Sequence, residues 1–457
     1  MIEDEIAAFT ERGVLTVVPR SASGRGLAGD PAELLRHPVE EFLPAPGTVD
    51  RVAEALLREG LTVEARTDVG LTVSGGQALL ADVFGHGVAV VRNKYIRDSP
   101  RYELVADGPL RSRVCPDLIA EVSAPRSGFE LTAPPAVVAG HHLRLPDDAV
   151  RVAGAGPLHD AGIRGEGVRV VMVDTGLYDH PHHRAHGYRT SVVAALSHLD
   201  PAVDERGHGT AMSALLLAVA PDVSLTMVKM ATEGFSFPVA AFQRAVAVAP
   251  DIISCSWGTM RAEPHLHLEV ANAIRRGITV LFAAGNGSTD RPTAMFQSVA
   301  TPGTITVGGV HVGPDGELRA ADLASSYRSD VFPGRAVPDV SGPCGMLPNG
   351  NYILFPTQPG CMFDRRNSAY DGTAPDDGWL VSSGTSGATA YAAGVLALGV
   401  QQGWKLSADA LAERCVPVTE GNSITGDECG GVSPNPATGH GLLTAGPTTL
   451  SVHMARC

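Results

Sequence analysis

Residues able to do chemistry fall in three well-separated stretches of this 457-residue chain. Near the C-terminal end, Leu380-Val381-Ser382-Ser383-Gly384-Thr385-Ser386-Gly387-Ala388-Thr389-Ala390 is a short apolar run that breaks on glycine and continues in small residues. Such a break opens a helix with Ser386 in its first turn, where backbone N–H groups lack intrahelical partners and point at whatever the hydroxyl attacks. A lone Gly-Thr-Ser is more often a capping turn, but two further segments carry matching chemistry. The largely apolar, β-branched run from Val168 to Val173 ends on Asp174-Thr175-Gly176, and an acid at the C-terminal end of a strand faces the crevice of an open α/β sheet. His208 stands between Gly207 and Gly209 just before the small, apolar run Ala211 to Ala220, a placing that packing explains poorly. Acid, histidine and serine are the parts of an activated nucleophile: the imidazole takes the hydroxyl proton and the carboxylate holds the imidazole.

In this chain order the three motifs closely resemble those of the subtilisin family of serine peptidases, over roughly residues 155 to 445. A fourth motif, Val280-Leu281-Phe282-Ala283-Ala284-Gly285-Asn286-Gly287, resembles the strand leading to that family's oxyanion asparagine. Ser256-Trp257-Gly258 resembles its substrate-pairing strand, Val337-Pro338-Asp339-Val340-Ser341-Gly342-Pro343 its segment before the nucleophile, and Gly439-His440-Gly441-Leu442-Leu443 its closing turn. The resemblance implies catalytic residues Asp174, His208, Ser386 and Asn286, a substrate backbone bound as an added strand along Ser256, Trp257, Gly258, Ala284 and Gly285, and no metal in the site. One departure follows the serine: the family usually continues Met-Ala-Ser-Pro-His or a close variant, where this chain has Gly387-Ala388-Thr389-Ala390-Tyr391. The missing proline is a φ-fixing device and carries no chemistry, so the departure bears on the pocket and not on the reaction. Trp257 is either a hydrophobic wall of a specificity pocket or a buried structural residue.

These residues need a scaffold, and from Gly167 onward the chain supplies one. Short apolar strands at Val168–Val173, Ser224–Lys229, Ile252–Ser256, Thr279–Ala283 and Thr304–Val307 alternate with helical runs at Ala211–Ala220, Ala240–Val248 and His265–Arg276, before a long helix from Ser386 to about Gly399. The expected fold is α/β, a subtilisin-like parallel sheet flanked by helices on both faces. Single cores stop growing near 250 to 300 residues, which leaves room for a second unit. Residues 1–100 read as a small α+β, ferredoxin-like unit: strand Val14–Pro19, helix Asp50–Gly60, a hairpin of Leu61–Ala65 and Gly70–Ser74, and a helix Gly76–Gly85. Its position resembles that of the prodomain of subtilisin-like peptidases, which assists folding and blocks the cleft; an appended domain that binds something else is the competing reading. Residues 101–156, rich in proline and glycine, are expected to link it to a catalytic domain at 157–457, and any maturation cut to fall in the linking stretch.

Composition removes other classes. Net charge is −14 with no long basic run, so the footprint of a nucleic-acid binder is missing. No apolar stretch approaches bilayer length, and the N-terminus Met1-Ile2-Glu3-Asp4-Glu5-Ile6 is acidic where a secretory signal is basic and then apolar. A cytoplasmic setting without membrane contact is expected, or secretion if a leader has been removed. Of seven cysteines, Cys255 reads as a buried hydrophobe, while Cys344 with Cys361, and Cys415 with Cys429, each bracket a loop and are candidate pairs. His180, His182, His183 and His186 lack the carboxylate or cysteine partners of a tetrahedral zinc set and are expected to form a solvated loop beside the cleft. Asp364, Asp371, Asp376 and Asp377 match no calcium-loop spacing; no cofactor is required, and calcium in such a loop is a possibility that the sequence does not decide. The expected activity is endopeptidase cleavage of peptide or protein substrates, with the N-terminal region as intramolecular inhibitor or chaperone removed by self-processing. A peptide ligase or macrocyclase, a dedicated precursor-peptide processing protease and a non-catalytic binding protein are the alternatives.

Overall fold

The computed structural model describes residues 2–27, 29–93, 101–129, 143–259, 262–287, 297–313, 316–346, 352–418 and 435–447. Its main sheet runs, edge to edge, through Cys415–Val416, Leu442–Leu443, Val340–Pro343, Ile305–Val312, Thr279–Ala283, Ile252–Cys255, Arg169–Asp174, Ser224–Lys229 and Thr190–Ala194, with Leu318–Ala320 paired off this path. Pairing is parallel except at Leu318–Ala320 and Cys415–Val416. Alternation along the central strands decides the layers. Val170 and Met172 join one core with Leu225, Met227 and Leu281, while Val171 and Val173 join a second with Val228, Ile253, Val280 and Phe282. Successive side chains of a strand point to opposite faces, so both faces must be covered.

The helices His208–Val219 and Thr385–Gln401 cover the first face. Both are apolar all round, as helices enclosed on every side are. They approach closely because residue 394 is glycine: a Cβ there would lie 2.8 Å from the Leu216 carbonyl oxygen and 2.8 Å from Val219 Cβ. Tyr391, the last residue of the run that departs from the family's usual one, is fully buried and donates its hydroxyl to Leu443 O at 3.0 Å. The helices Pro238–Ala247 and Pro264–Arg275 cover the second face.

On the outside of those two helices sits a sheet ordered Thr62–Arg66, Leu71–Gly76, Arg12–Pro19, Ile119–Ser123. Its first strands and the helices Thr48–Arg58 and Gln77–Phe84 lie where the apolar spacing put them. The fourth strand is a correction. It comes from the proline- and glycine-rich stretch read as a linker, which also supplies Tyr102–Ala106, paired with Val88–Arg92, and the helix Asp147–Ala153. Ile119-Ala120-Glu121-Val122-Ser123 carries no two-residue alternation to find: Ile119 and Val122 are buried with two exposed residues between them, and the pairing has a register shift at Val18/Pro19. The N-terminal helix Ile2–Glu11 was also not anticipated; it inserts Phe9 against Phe235 and Phe237, with ring centroids 4.5 and 5.1 Å apart.

Candidate active site

The strand order reverses beside Arg169–Asp174: the chain builds outward on one side through Ser224–Lys229 and on the other through Ile252–Cys255. Crevices form at the carboxyl ends of strands at such a point. Cys255 pairs in register with Val173, so Ser256 and Asp174 leave the sheet side by side.

Asp174 Oδ1 accepts the N–H of Thr175 at 2.8 Å and the His208 ring at Nδ1, 2.7 Å away. A carboxylate accepts only, so Nδ1 carries the proton and Nε2 is left with its lone pair. Asp174 is fully buried, and its Oδ2 has no hydrogen-bond partner. His208 opens its helix after Gly207 in a left-handed conformation (φ 85°). Asp204, which motif reading passed over, fastens this turn: Oδ1 accepts Thr175 Oγ1 (2.7 Å) and Gly207 N (2.9 Å), and Oδ2 accepts Thr210 N (2.8 Å) and Thr210 Oγ1 (2.7 Å). Burial pushes the Asp204 carboxyl above its usual range, against the pull of those hydrogen bonds. The available signal was an acid four residues before the histidine.

Ser386 lies in the first turn of its helix and is 7% exposed. Its hydroxyl donates to Ser256 O at 3.0 Å, and the Ser256 hydroxyl donates to Ser386 O at 3.0 Å, a reciprocal clamp between the serine helix and the end of its neighbouring strand. Asn286 Oδ1 accepts Thr385 N at 2.8 Å and Thr385 Oγ1 at 3.1 Å. These two bonds fix the amide plane with its Nδ2 beside Gly384, where a Cβ would come within 2.8 Å. Thr385 also accepts the N–H of Gly285 at 3.0 Å, a second positioning residue that motif reading missed. Ala284 N is tied to Val307 O, at 2.9 Å.

Trp257 is a buried residue: its Nε1 donates to Val173 O at 2.8 Å and its ring meets Phe282 edge to face at 5.4 Å. Gly258 and Thr259 form a short edge, and that edge is occupied by the chain itself. Phe129 pairs antiparallel with Gly258, and Gly128 with Thr259. Ser236 Oγ donates to Gly128 O at 2.6 Å from the opposite side.

Several expectations are corrected. The histidine stretch is solvated only in part: it forms the short helix Pro181–Ala185, with His186 exposed and His182 half-buried, but His180 and His183 are buried, His183 bonds Ser213 Oγ at 3.0 Å, and the rings pack on one another and on Trp379. Burial, with smaller contributions from neighbouring imidazoles, drives His182 down to about 4 and His183 to about 3. Cys344 and Cys361 do not pair; both are free thiols in separate apolar clusters, with burial pushing each up to about 11. Cys429 lies outside the described residues. The loop carboxylates hold their own backbone: Asp364 accepts Gly360 N, Asp371 accepts Val381 N and Asp377 accepts Trp379 N. Among the described residues no three His, Cys, Asp or Glu side chains gather as a metal cluster, and no helix is long and apolar enough to cross a membrane.

A family model described as the subtilase family matches residues 165–419 of the 457. The chain belongs to the subtilase family. Subtilisin E of Bacillus subtilis (strain 168) is 28% identical over 214 residues, 43% of this subtilase and 53% of that protein. Serine protease AprX of the same organism is 28% identical over 285 residues, 55% of this chain and 61% of AprX. The chain spans about half the length of the first of these relatives. The crystal structure of fervidolysin from Fervidobacterium pennivorans aligns with a TM-score of 0.56 at 16% identity, covering 96% of this chain and 61% of that one, a likeness of fold.

Proposed function

We propose that this subtilase is a serine endopeptidase that cleaves through Asp174, His208 and Ser386 and matures by cutting its own chain. The Asp174–His208 bond of 2.7 Å is the observation that carries the catalytic reading, because it sets the one tautomer in which Nε2 can act as base. In this reading the Ser386 hydroxyl turns from Ser256 O to His208 Nε2, which takes the proton as Oγ attacks the scissile carbonyl. The Asn286 amide and the first-turn N–H of Ser386 donate to the oxyanion. The imidazolium returns its proton to the leaving amine, and water resolves the acyl-enzyme by the same steps. Side chains and water suffice for each of these steps.

Occupation of the Gly258–Thr259 edge by Gly128–Phe129 supports the N-terminal unit as intramolecular inhibitor. That unit is held by more than the edge: Glu5 accepts the Thr232 hydroxyl and Gly234 N, Glu64 accepts Ser197 N, and Thr67 reaches Glu269. An inhibitor of this kind is displaced once the connecting chain is cut, and residues 130–142 are the only stretch between the occupied edge and Leu143, where the catalytic part of the described chain resumes.

Intact-mass measurement of purified wild type and Ser386→Ala tests the reading. Wild type shortens from its N-terminus by a mass that places the cut within residues 130–142, and Ser386→Ala stays whole. Equal shortening of both, or none in either together with no labelling of Ser386 by a fluorophosphonate, overturns it.

A further inference from the structure

We propose that the subsite floored by Trp257 and Pro238 admits glycine and little else, so that this subtilase selects peptides with glycine at the fourth residue before the cut bond. The inference rests on the peptidase reading above and specifies its substrate.

The register supplies the position. Phe129 lies opposite Gly258 and Gly128 opposite Thr259. A substrate strand in the same antiparallel register puts the residue opposite Ser256 beside Ser386, whose Oγ is 3.0 Å from Ser256 O. Counting back from that residue, the one opposite Gly258 is third before the cut and the one opposite Thr259 is fourth.

Space supplies the selectivity. A Cβ on Gly128 would stand 3.1 Å from Trp257 Cε3, 3.4 Å from Trp257 Cζ3 and 3.3 Å from Pro238 Cβ. Gly128 does not have the positive φ that would call for glycine, so the requirement is one of room alone. Relief would need a neighbour to yield, and none is free to. The indole is tethered by Nε1 to Val173 O and wedged on Phe282. Pro238 is buried at the first position of its helix. The strand itself is held between Thr259 and the Ser236 hydroxyl, 2.6 Å from Gly128 O. A fixed wall on one side and a hydrogen-bonded backbone on the other leave no path for a side chain, and overpacking a rigid site is as unfavourable as leaving it empty. Such a filter favours few substrates over bulk digestion.

Two experiments, one on each side of the chemistry, test this. First, the self-shortened enzyme is given quenched peptides identical except for Gly, Ala, Val or Phe at the fourth residue before the cut, with cut positions read by mass. Alanine is expected to lower kcat/KM about tenfold, and valine or phenylalanine about 100-fold or more. Equal rates for glycine and phenylalanine overturn the proposal while leaving the peptidase reading intact; no cleavage of any peptide counts against the peptidase reading instead. Second, in the full-length Ser386→Ala chain, Gly128→Val should expel the segment from the edge and speed hydrogen exchange of the edge amide that donates to it, that of Gly258 or of Thr259, at least tenfold relative to the chain with Gly128. Unchanged exchange would mean that the subsite has room for a side chain, and the inference would fall without reference to activity.

Discussion

The Thr175 hydroxyl stands between Asp204 and Gly209, donating to Asp204 Oδ1 at 2.7 Å and accepting Gly209 N at 2.9 Å. Through it the turn after the acid strand and the first turn of the histidine helix move as one body, and the Asp174–His208 distance is inherited from that link. Asp204→Ala would strand the donors of Thr175 and Thr210 in a buried site, at about 1–3 kcal/mol for each unsatisfied group, while Gly207 N keeps the backbone carbonyl of residue 204 at 3.0 Å; the variant should melt far below wild type. Asp204→Asn keeps the shape and should fold. Because small misplacements at a reacting centre are costly, its rate of fluorophosphonate labelling at Ser386 should fall about 10- to 100-fold. An Asp204→Asn protein that melts lower but labels at the wild-type rate would reduce Asp204 to a structural residue.

Asn286 is the second positioned donor. Both bonds to Thr385 use Oδ1, so the side-chain orientation does not depend on bound substrate. Donors fixed in advance stabilise the transition state without reorganising, and removing one costs about 10² to 10³ in kcat, a magnitude measured on subtilisin itself. Asn286→Ala should therefore lower kcat by that factor with KM changed little, since the oxyanion charge develops only after binding. A rise in KM at unchanged kcat would assign Asn286 to ground-state binding.

Much of this was legible in the sequence where one residue type answers one physical demand. The parallel strands are written as largely apolar runs because both faces are covered, and glycines precede His208 and Ser386 where the backbone takes a positive φ, 85° at Gly207 and 153° at Gly384. What was missed depends on pairings that no local pattern encodes. Ile119–Ser123 becomes a strand only because Arg12–Pro19 offers it an edge. Asp204 was one acid among many until its four bonds were in view. The histidine run looked solvated throughout because imidazole is polar on average, whereas Trp379 packs on His180 and Ser213 holds His183, contacts distant in sequence that accompany the burial of these two rings. The close passage of the strand at Gly128 against Trp257 joins residues more than a hundred positions apart and leaves no trace in either segment alone.

Gly394 gives a test in which local propensity and tertiary contact disagree in sign. In an isolated helix, replacing an interior glycine by alanine stabilises by about 0.5–1 kcal/mol. Here the added methyl meets a carbonyl oxygen and a β-carbon of the histidine helix, both at 2.8 Å and neither on a flexible side-chain end. Overpacking of this kind costs about 1–3 kcal/mol. Gly394→Ala should lower the denaturation midpoint, and Gly394→Val should lower it further. A rise on alanine substitution would show that the two helices have room to separate.

Stability should also carry the signature of Glu269. This side chain lies beneath the N-terminal unit, accepting Thr67 Oγ1 at 2.7 Å and Gln243 Nε2 at 2.8 Å, with His265 on its own helix and Asp68 on the covering loop as the charged neighbours. Burial pushes its carboxyl from 4.5 up to about 7, against the hydrogen bonds and His265, which favour the charged form. The folded chain therefore keeps a proton that an exposed glutamate gives up near pH 4.5. The resulting contribution is fully present below that pH and is lost as pH rises through about 7, a change of roughly 3 kcal/mol across the window. Other buried groups titrate as well: His267, which burial drives down to about 3, acts in the opposite direction below pH 6.5. The informative quantity is thus the difference between Ser386→Ala and the double variant Ser386→Ala, Glu269→Gln, followed by denaturant melts from pH 5 to 8. The glutamine protein should lose less stability than its parent as pH rises, with the gap opening between pH 5 and 7. Parallel curves would mean that Glu269 is already ionised at pH 5, with the Thr67 and Gln243 donors holding its charge.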